Sequence, residues 1–178
     1  MKFQKYMAVG ILGLTMALGF SGCQSENQKN QDAYRKIGIN SMAEGDYDKA
    51  VKSFQKALDT SLGKIGAEEI DICYYKAAAQ FAKKDYDGAI ETYTSLIDYD
   101  KENANAYYLR GSVYLDTDKK DKAFKDYKNA VKYAGREYEI YEGIYENLTN
   151  KGETEEAKNY LKKALDIKPK DGADYAEQ

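Results

Sequence analysis

A chain of 178 residues, with 27 basic and 30 acidic side chains and a net charge of -3, is long enough for one ordinary domain and lacks the basic excess of a nucleic-acid binder. Histidine and tryptophan are absent and proline occurs once, at Pro169, so helices can run uninterrupted and the side chain most used as general base or zinc ligand near neutral pH is missing. The counts predict an all-α protein that is not an enzyme, binds no nucleic acid and needs no metal or cofactor.

Lys2 and Lys5 form a short positive segment, followed by an uncharged apolar run over residues 7–20 and then Ser21, Gly22 and Cys23. That order reads as a secretion signal. The run is shorter than the roughly 20 apolar residues that cover a ~30 Å hydrocarbon core, although an uncleaved anchor extending through Cys23 is the alternative. Gly19, Phe20, Ser21, Gly22 and Cys23 resemble the bacterial lipobox, with Phe20 where leucine is usual. The resemblance implies a lipoprotein signal peptide over residues 1–22 and lipidation of Cys23. It further implies attachment to the extracytoplasmic side of the cell membrane or outer membrane, where two or three acyl chains, palmitate among them, anchor far better than one. Residues 24–31 contain nothing apolar, so 23–31 is predicted to be a lipidated cysteine and flexible tether spanning about 15 Å.

Tyr47, Ala50, Val51, Phe54, Ala57 and Leu58 recur as Tyr86, Ala89, Ile90, Tyr93, Leu96 and Ile97, then as Lys120, Ala123, Phe124, Tyr127, Ala130 and Val131. A weaker fourth copy is Thr154, Ala157, Lys158, Leu161, Ala164 and Leu165. The spacing i, i+3, i+4, i+7, i+10, i+11 places each set on one stripe of an α-helix. The lead alanines lie 39, 34 and 34 residues apart, and small residues there let two helices approach closely. Partner helices precede them, carrying Tyr34, Ile37 and Gly38; Tyr107, Gly111 and Tyr114; and Tyr141, Ile144, Tyr145 and Leu148.

With Gly45-Asp46 and Gly152-Glu153 as helix-ending glycine and helix-starting acid, and with Pro169 after the last copy, this pattern resembles the tetratricopeptide repeat. The resemblance implies a right-handed α-solenoid of four helix-turn-helix hairpins over residues 32–170. Their units fall at about 31–62, 70–101, 104–135 and 138–169, followed by a short tail or partial capping helix over 171–178. Two irregularities stand out. Five extra residues fall somewhere in 59–69, where Gly63 and Gly66 favour a loop. Strict counting also puts Lys76 and Gln80 at core positions of the second unit, whereas a one-residue shift supplies Tyr74, Ala77, Ala78 and Phe81. The shift is favoured, and it predicts a shortened turn before Asp85. At the far end, Lys158 replaces an apolar residue while Leu161 and Leu165 face the exposed end of the stack.

Candidates for chemistry are few. Residues 98–109 begin like a calcium loop, but Asn103 and Leu109 stand where glycine and glutamate are needed. Cys73 sits at a helix-packing position without a neighbouring cysteine or histidine, so a small core residue is expected. Most of the 18 tyrosines occupy repeat-core positions.

What the resemblance does imply is a concave groove lined by first-helix positions: Asp32, Arg35, Ile39 and Met42; Tyr74 or Tyr75, depending on register; Asn105, Tyr108, Ser112 and Leu115; and Glu139, Glu142, Glu146 and Thr149. Of the family's clamp for peptide carboxylates only Arg35 is present, with Ile39, Tyr75 and Leu109 elsewhere, so an acidic peptide terminus is not the expected ligand. Glu139, Glu142 and Glu146 share one helical face, where their repulsion is relieved either by solvent or by a basic partner. The function expected is a membrane-anchored scaffold that binds a protein or peptide in the groove. The alternative is an assembly factor for an envelope machine (a pilus, secretion or wall-hydrolase complex) acting, or self-associating, through its C-terminal end.

Overall fold

The computed structural model describes residues 25–61 and 63–168, so Cys23, the leader and the tail over 171–178 lie outside it. Eight helices follow in order: α1 Glu26–Ala43, α2 Tyr47–Asp59, α3 Ala67–Ala82, α4 Tyr86–Tyr99, α5 Ala104–Asp116, α6 Lys120–Tyr133, α7 Tyr138–Asn150 and α8 Thr154–Ile167. No strand occurs among the described residues. They pair as four hairpins, α1 with α2, α3 with α4, α5 with α6 and α7 with α8, in two compact units that meet between Tyr99 and Asp100 in the sequence. Within the N-terminal unit α3 also packs on α2 and touches α1; within the C-terminal unit α7 packs on α5 and α6. The all-α class and the four hairpins are those the periodicity predicts.

Every hairpin turns in the same way. The amide N–H of Asp46 donates to Ser41 O at 2.8 Å, that of Asp85 to Gln80 O at 2.8 Å, that of Lys119 to Tyr114 O at 2.9 Å and that of Glu153 to Leu148 O at 2.9 Å. The residue before each donor takes a left-handed backbone: Gly45 at φ 79°, Lys84 at 67°, Asp118 at 58° and Gly152 at 81°. This closure satisfies carbonyls that the last helical turn leaves unpaired. Asp46 then caps α2 by accepting from the Lys49 amide at 3.0 Å.

The uniform turns correct the expected register of the second hairpin. The turn before Asp85 is not shortened, and strict counting holds: Ala77, fully buried, occupies the place of Gly38 and Gly111. The polar residues that made this register unattractive have polar partners. Gln80, buried, accepts from Thr92 Oγ at 2.8 Å, and Lys76 donates to Gln55 Oε1 at 2.7 Å. The cost of the register falls on Lys84, a side-chain-bearing residue in a backbone region that disfavours one. Lys84→Gly is therefore expected to raise stability by about 0.5–1 kcal/mol in urea unfolding, and Gly45→Ala to lower it by a similar amount.

A second correction concerns the tether. Residues 26–31 are the first turns of α1, begun by Ser25, whose hydroxyl accepts from the Gln28 amide at 3.3 Å, with Glu26 favourably placed in the first turn. Gln31 is buried and donates to Glu69 Oε1 on α3 at 2.7 Å. A polar stretch with nothing apolar to bury is held here by partners that composition alone does not reveal.

Close packing follows the small residues. Ala50, Ala89, Ala123 and Ala157 are buried. A Cβ on Gly38 would lie 2.5 Å from the Phe54 ring, and one on Gly111 would lie 2.8 Å from the Tyr127 ring. The extra residues of the first interval form the loop between Asp59 and Ala67, with Gly63 at φ 77°.

Candidate interaction surface

In the N-terminal unit the first-helix side chains of α1 and α3 form a ladder of polar contacts. Arg35 Nε donates to Asp71 Oδ2 at 2.9 Å, reinforced by a second, shorter contact from its terminal nitrogen, and its guanidinium lies 5.3 Å from the centre of the Tyr75 ring. The cation expected to greet a ligand is thus engaged by α3. Tyr75 stacks on Phe54 at 5.6 Å and belongs to the packing between α2 and α3, while Tyr74, the residue that the strict register assigns, tilts against Tyr93 at 6.4 Å. Ile39 and Met42 are half-buried on the same helix as Arg35. Asp71 was missed because the favoured shift moved it out of line; it stands 39 residues after Asp32, the same interval that separates Ala50 from Ala89.

One carboxyl in this ladder is unusual. Glu68, near Asp32, is pushed up from 4.5 to about 7, first by burial and then by a hydrogen bond and charge repulsion from Asp32. The fold favours the protonated form. Its contribution to stability is therefore complete below pH 4.5 and is lost as the pH rises towards 7. Because both carboxyls are only half-buried and solvent still screens them, the effect is held to about 1 kcal/mol or less. Glu68→Gln should flatten this slope in urea unfolding measured across that range; an unchanged slope would place the titration elsewhere.

The C-terminal unit divides its candidates sharply. Tyr108, Ser112 and Leu115 are buried, a correction to their placement in an open groove. Tyr108 packs over Gly143, where a Cβ would come within 2.3 Å of its hydroxyl, and Ser112 accepts from Asn147 Nδ2 at 2.7 Å. These residues join α5 to α7; the close approach that Gly143 permits is what draws them inside. Asn105 stays half-buried and Glu139 exposed. Glu142 and Glu146 are half-buried, and Lys168 reaches to 3.4 Å from Glu142 while lying 5.2 Å from the Tyr138 ring centre. Part of the acidic stripe is thus offset from within the chain, by a lysine beyond the repeat pattern that sequence periodicity could not assign.

Cys73 is half-buried, and burial pushes its thiol up, the condition of an inert packing cysteine. Among the described residues no group of His, Cys, Asp and Glu is arranged to hold a metal ion, and no helix is long and apolar enough to cross a membrane.

Hairpins of constant turn geometry, with small residues at matched positions and first helices carrying the variable polar side chains, define a helical-repeat protein. Tetratricopeptide-repeat family models match residues 35–93, 77–118, 104–136 and 146–171. Together they span well over half of the sequence, and the chain belongs to the tetratricopeptide-repeat family. Among solved structures it is similar to MamA, at 26% identity and a TM-score of 0.60, over 78% of each chain. A fragment of MamA from Desulfovibrio magneticus RS-1 is 22% identical with a TM-score of 0.61, over 80% of this chain and 76% of that one. YrrB, described as a TPR protein with an unusual peptide-binding site, is 18% identical with a TM-score of 0.57, over 79% and 70%. The last two likenesses speak to the fold alone. No curated protein matches the chain.

Proposed function

We propose that the chain is a lipid-anchored extracytoplasmic adaptor, tethered through Cys23, that binds a protein or peptide on its first-helix face and catalyses nothing. The observation that carries the reading is the division of labour within each hairpin. Second helices spend their stripes on packing, whereas first helices keep Ile39, Met42, Asn105, Glu139, Glu142 and Glu146 at least partly open. YrrB, described as a TPR protein with an unusual peptide-binding site, illustrates one use to which this fold is put. The partner of the C-terminal unit is basic, because the exposed Glu139 and the half-buried Glu142 and Glu146 put three carboxylates on one partly open helix face.

Photo-crosslinking groups placed at Met42 or Glu146 of the full chain in its native cells should capture a discrete protein that the same groups at Gln55 or Lys163 do not. Equal capture from both sets would overturn the assignment of the face. Glu142→Lys/Glu146→Lys should slow association and abolish its salt dependence, and unchanged binding would remove the basic partner. Cys23→Ser should abolish incorporation of a palmitate analogue; continued labelling would move the anchor elsewhere.

A second reading, assembly through the C-terminal end, is favoured by Leu165, 59% exposed on α8 where the other hairpins cover their equivalent residue more fully. Light scattering that shows only monomer at high concentration would count against self-association.

A further inference from the structure

The longest row of exposed cations in the C-terminal unit lies on α6. Lys122, Lys125, Lys128 and Lys132 are all exposed on α6, and at 100° per residue they fall within an arc of about 120°. Five other lysines stand beside acids: Lys83 with Asp48 and Asp85, Lys120 with Glu153, Lys151 with Asp116, Lys158 with Glu155 and Lys168 with Glu142. The four lysines of the α6 stripe have no carboxylate within salt-bridge distance among the described residues, and the acid whose charge reaches Lys132, Glu102, lies beyond that distance. Lys122 lies 5.5 Å from the centre of the Tyr114 ring, and Lys132 lies 4.6 Å from that of Tyr133 while donating to its hydroxyl at 3.1 Å.

The acids of α6 do not cancel the stripe. Asp126 is buried and committed to Arg110, and Asp121 stands alone in the first turn, where it also suits the helix dipole. Lys162 on α8 repeats the position of Lys128, 34 residues on. Like charges three and four residues apart repel and weaken a helix unless something anionic lies against them.

We propose that the α6 lysine face docks on an anionic phospholipid bilayer. The stripe is one exposed helix face carrying four lysines. It is flanked by two tyrosines whose amphipathic rings suit the headgroup level. Juxtamembrane lysines gain their affinity from just such a surface and lose it within a Debye length. The proposal gains from the lipid anchor proposed above, which would hold the domain at the bilayer, but the stripe's binding is read separately from the anchor.

The test is lysine acetylation footprinting of the full wild-type chain by mass spectrometry, with phosphatidylcholine vesicles alone and with phosphatidylglycerol added. Lys122, Lys125, Lys128 and Lys132 should become several-fold less reactive only when phosphatidylglycerol is present and should recover at high salt, while Lys36 and Lys64 keep their rates. No protection, or equal protection of all lysines, overturns the proposal. So does the same protection by inorganic phosphate or by RNA without vesicles, which would assign the stripe to free phosphate or to nucleic acid. In the full chain carrying Lys125→Glu/Lys128→Glu, protection of Lys122 and Lys132 should be lost. Flotation with pure phosphatidylcholine vesicles reads the anchor alone: failure to float with stripe protection intact would sink the anchor and leave this inference standing.

Discussion

Phe54→Ala is expected to destabilise the N-terminal unit by about 3–5 kcal/mol, read as a lower urea midpoint and as lost amide protection in α1, α2 and α3. The ring is fully buried, stacks on Tyr75 at 5.6 Å and fills the space left by Gly38, so three helices lose contacts at once. Gly38→Ala alone should cost about 1–3 kcal/mol, because the new methyl would meet a ring with nowhere to go. In the Phe54→Ala background the same methyl enters a cavity and should recover part of the loss. The double mutant is therefore predicted to be less destabilised than the sum of the singles, and strict additivity would show that the two residues do not share the site.

That coupling shows why the hairpins were legible from sequence while the surface was less so. A buried aromatic opposite a glycine recurs as Phe54 with Gly38 and Tyr127 with Gly111, and packing of this kind leaves a periodic trace. Polar pairs between helices leave no such trace. Gln31 with Glu69, Arg35 with Asp71 and Gln80 with Thr92 are each set by which turn of one helix lies beside which turn of another, and no spacing within a single helix encodes that. For this reason the start of α1 read as a tether, Gln80 read as misplaced, and Arg35 read as available. Tyr108 and Ser112 failed differently. Their positions on α5 were correctly placed, but the approach of α7 at Gly143 decides that they are covered. Ile39 and Met42 pack in part against the core, Asn105, Glu142 and Glu146 are half-buried, and Glu139 alone of these residues is exposed.

The second large effect is expected at Asp126, an acid that the repeat pattern hides between Ala123 and Tyr127. Its side chain is 4% exposed and holds Arg110 side-on, with Nε to Oδ2 at 2.8 Å and a terminal nitrogen to Oδ1 at 2.9 Å. The Tyr107 and Tyr114 rings lie 5.7 and 5.8 Å from the guanidinium, which is itself mostly buried. Asp126→Ala leaves that cation without its counter-charge, and the expected loss is about 3 kcal/mol, the lower end for a broken buried pair because Arg110 keeps some contact with water. Arg110→Leu/Asp126→Leu removes both charges and fills the space with apolar atoms, so it should return to within about 1 kcal/mol of the parent chain in the same urea titration. If the single and double replacements cost the same, the loss reflects packing and not the stranded charge. If the double variant is as stable as the parent, the pair contributes little net stability. Its contribution is then orientational: a two-point, charge-assisted contact that fixes how α6 rotates against α5, and with it the direction in which the lysine face of α6 points.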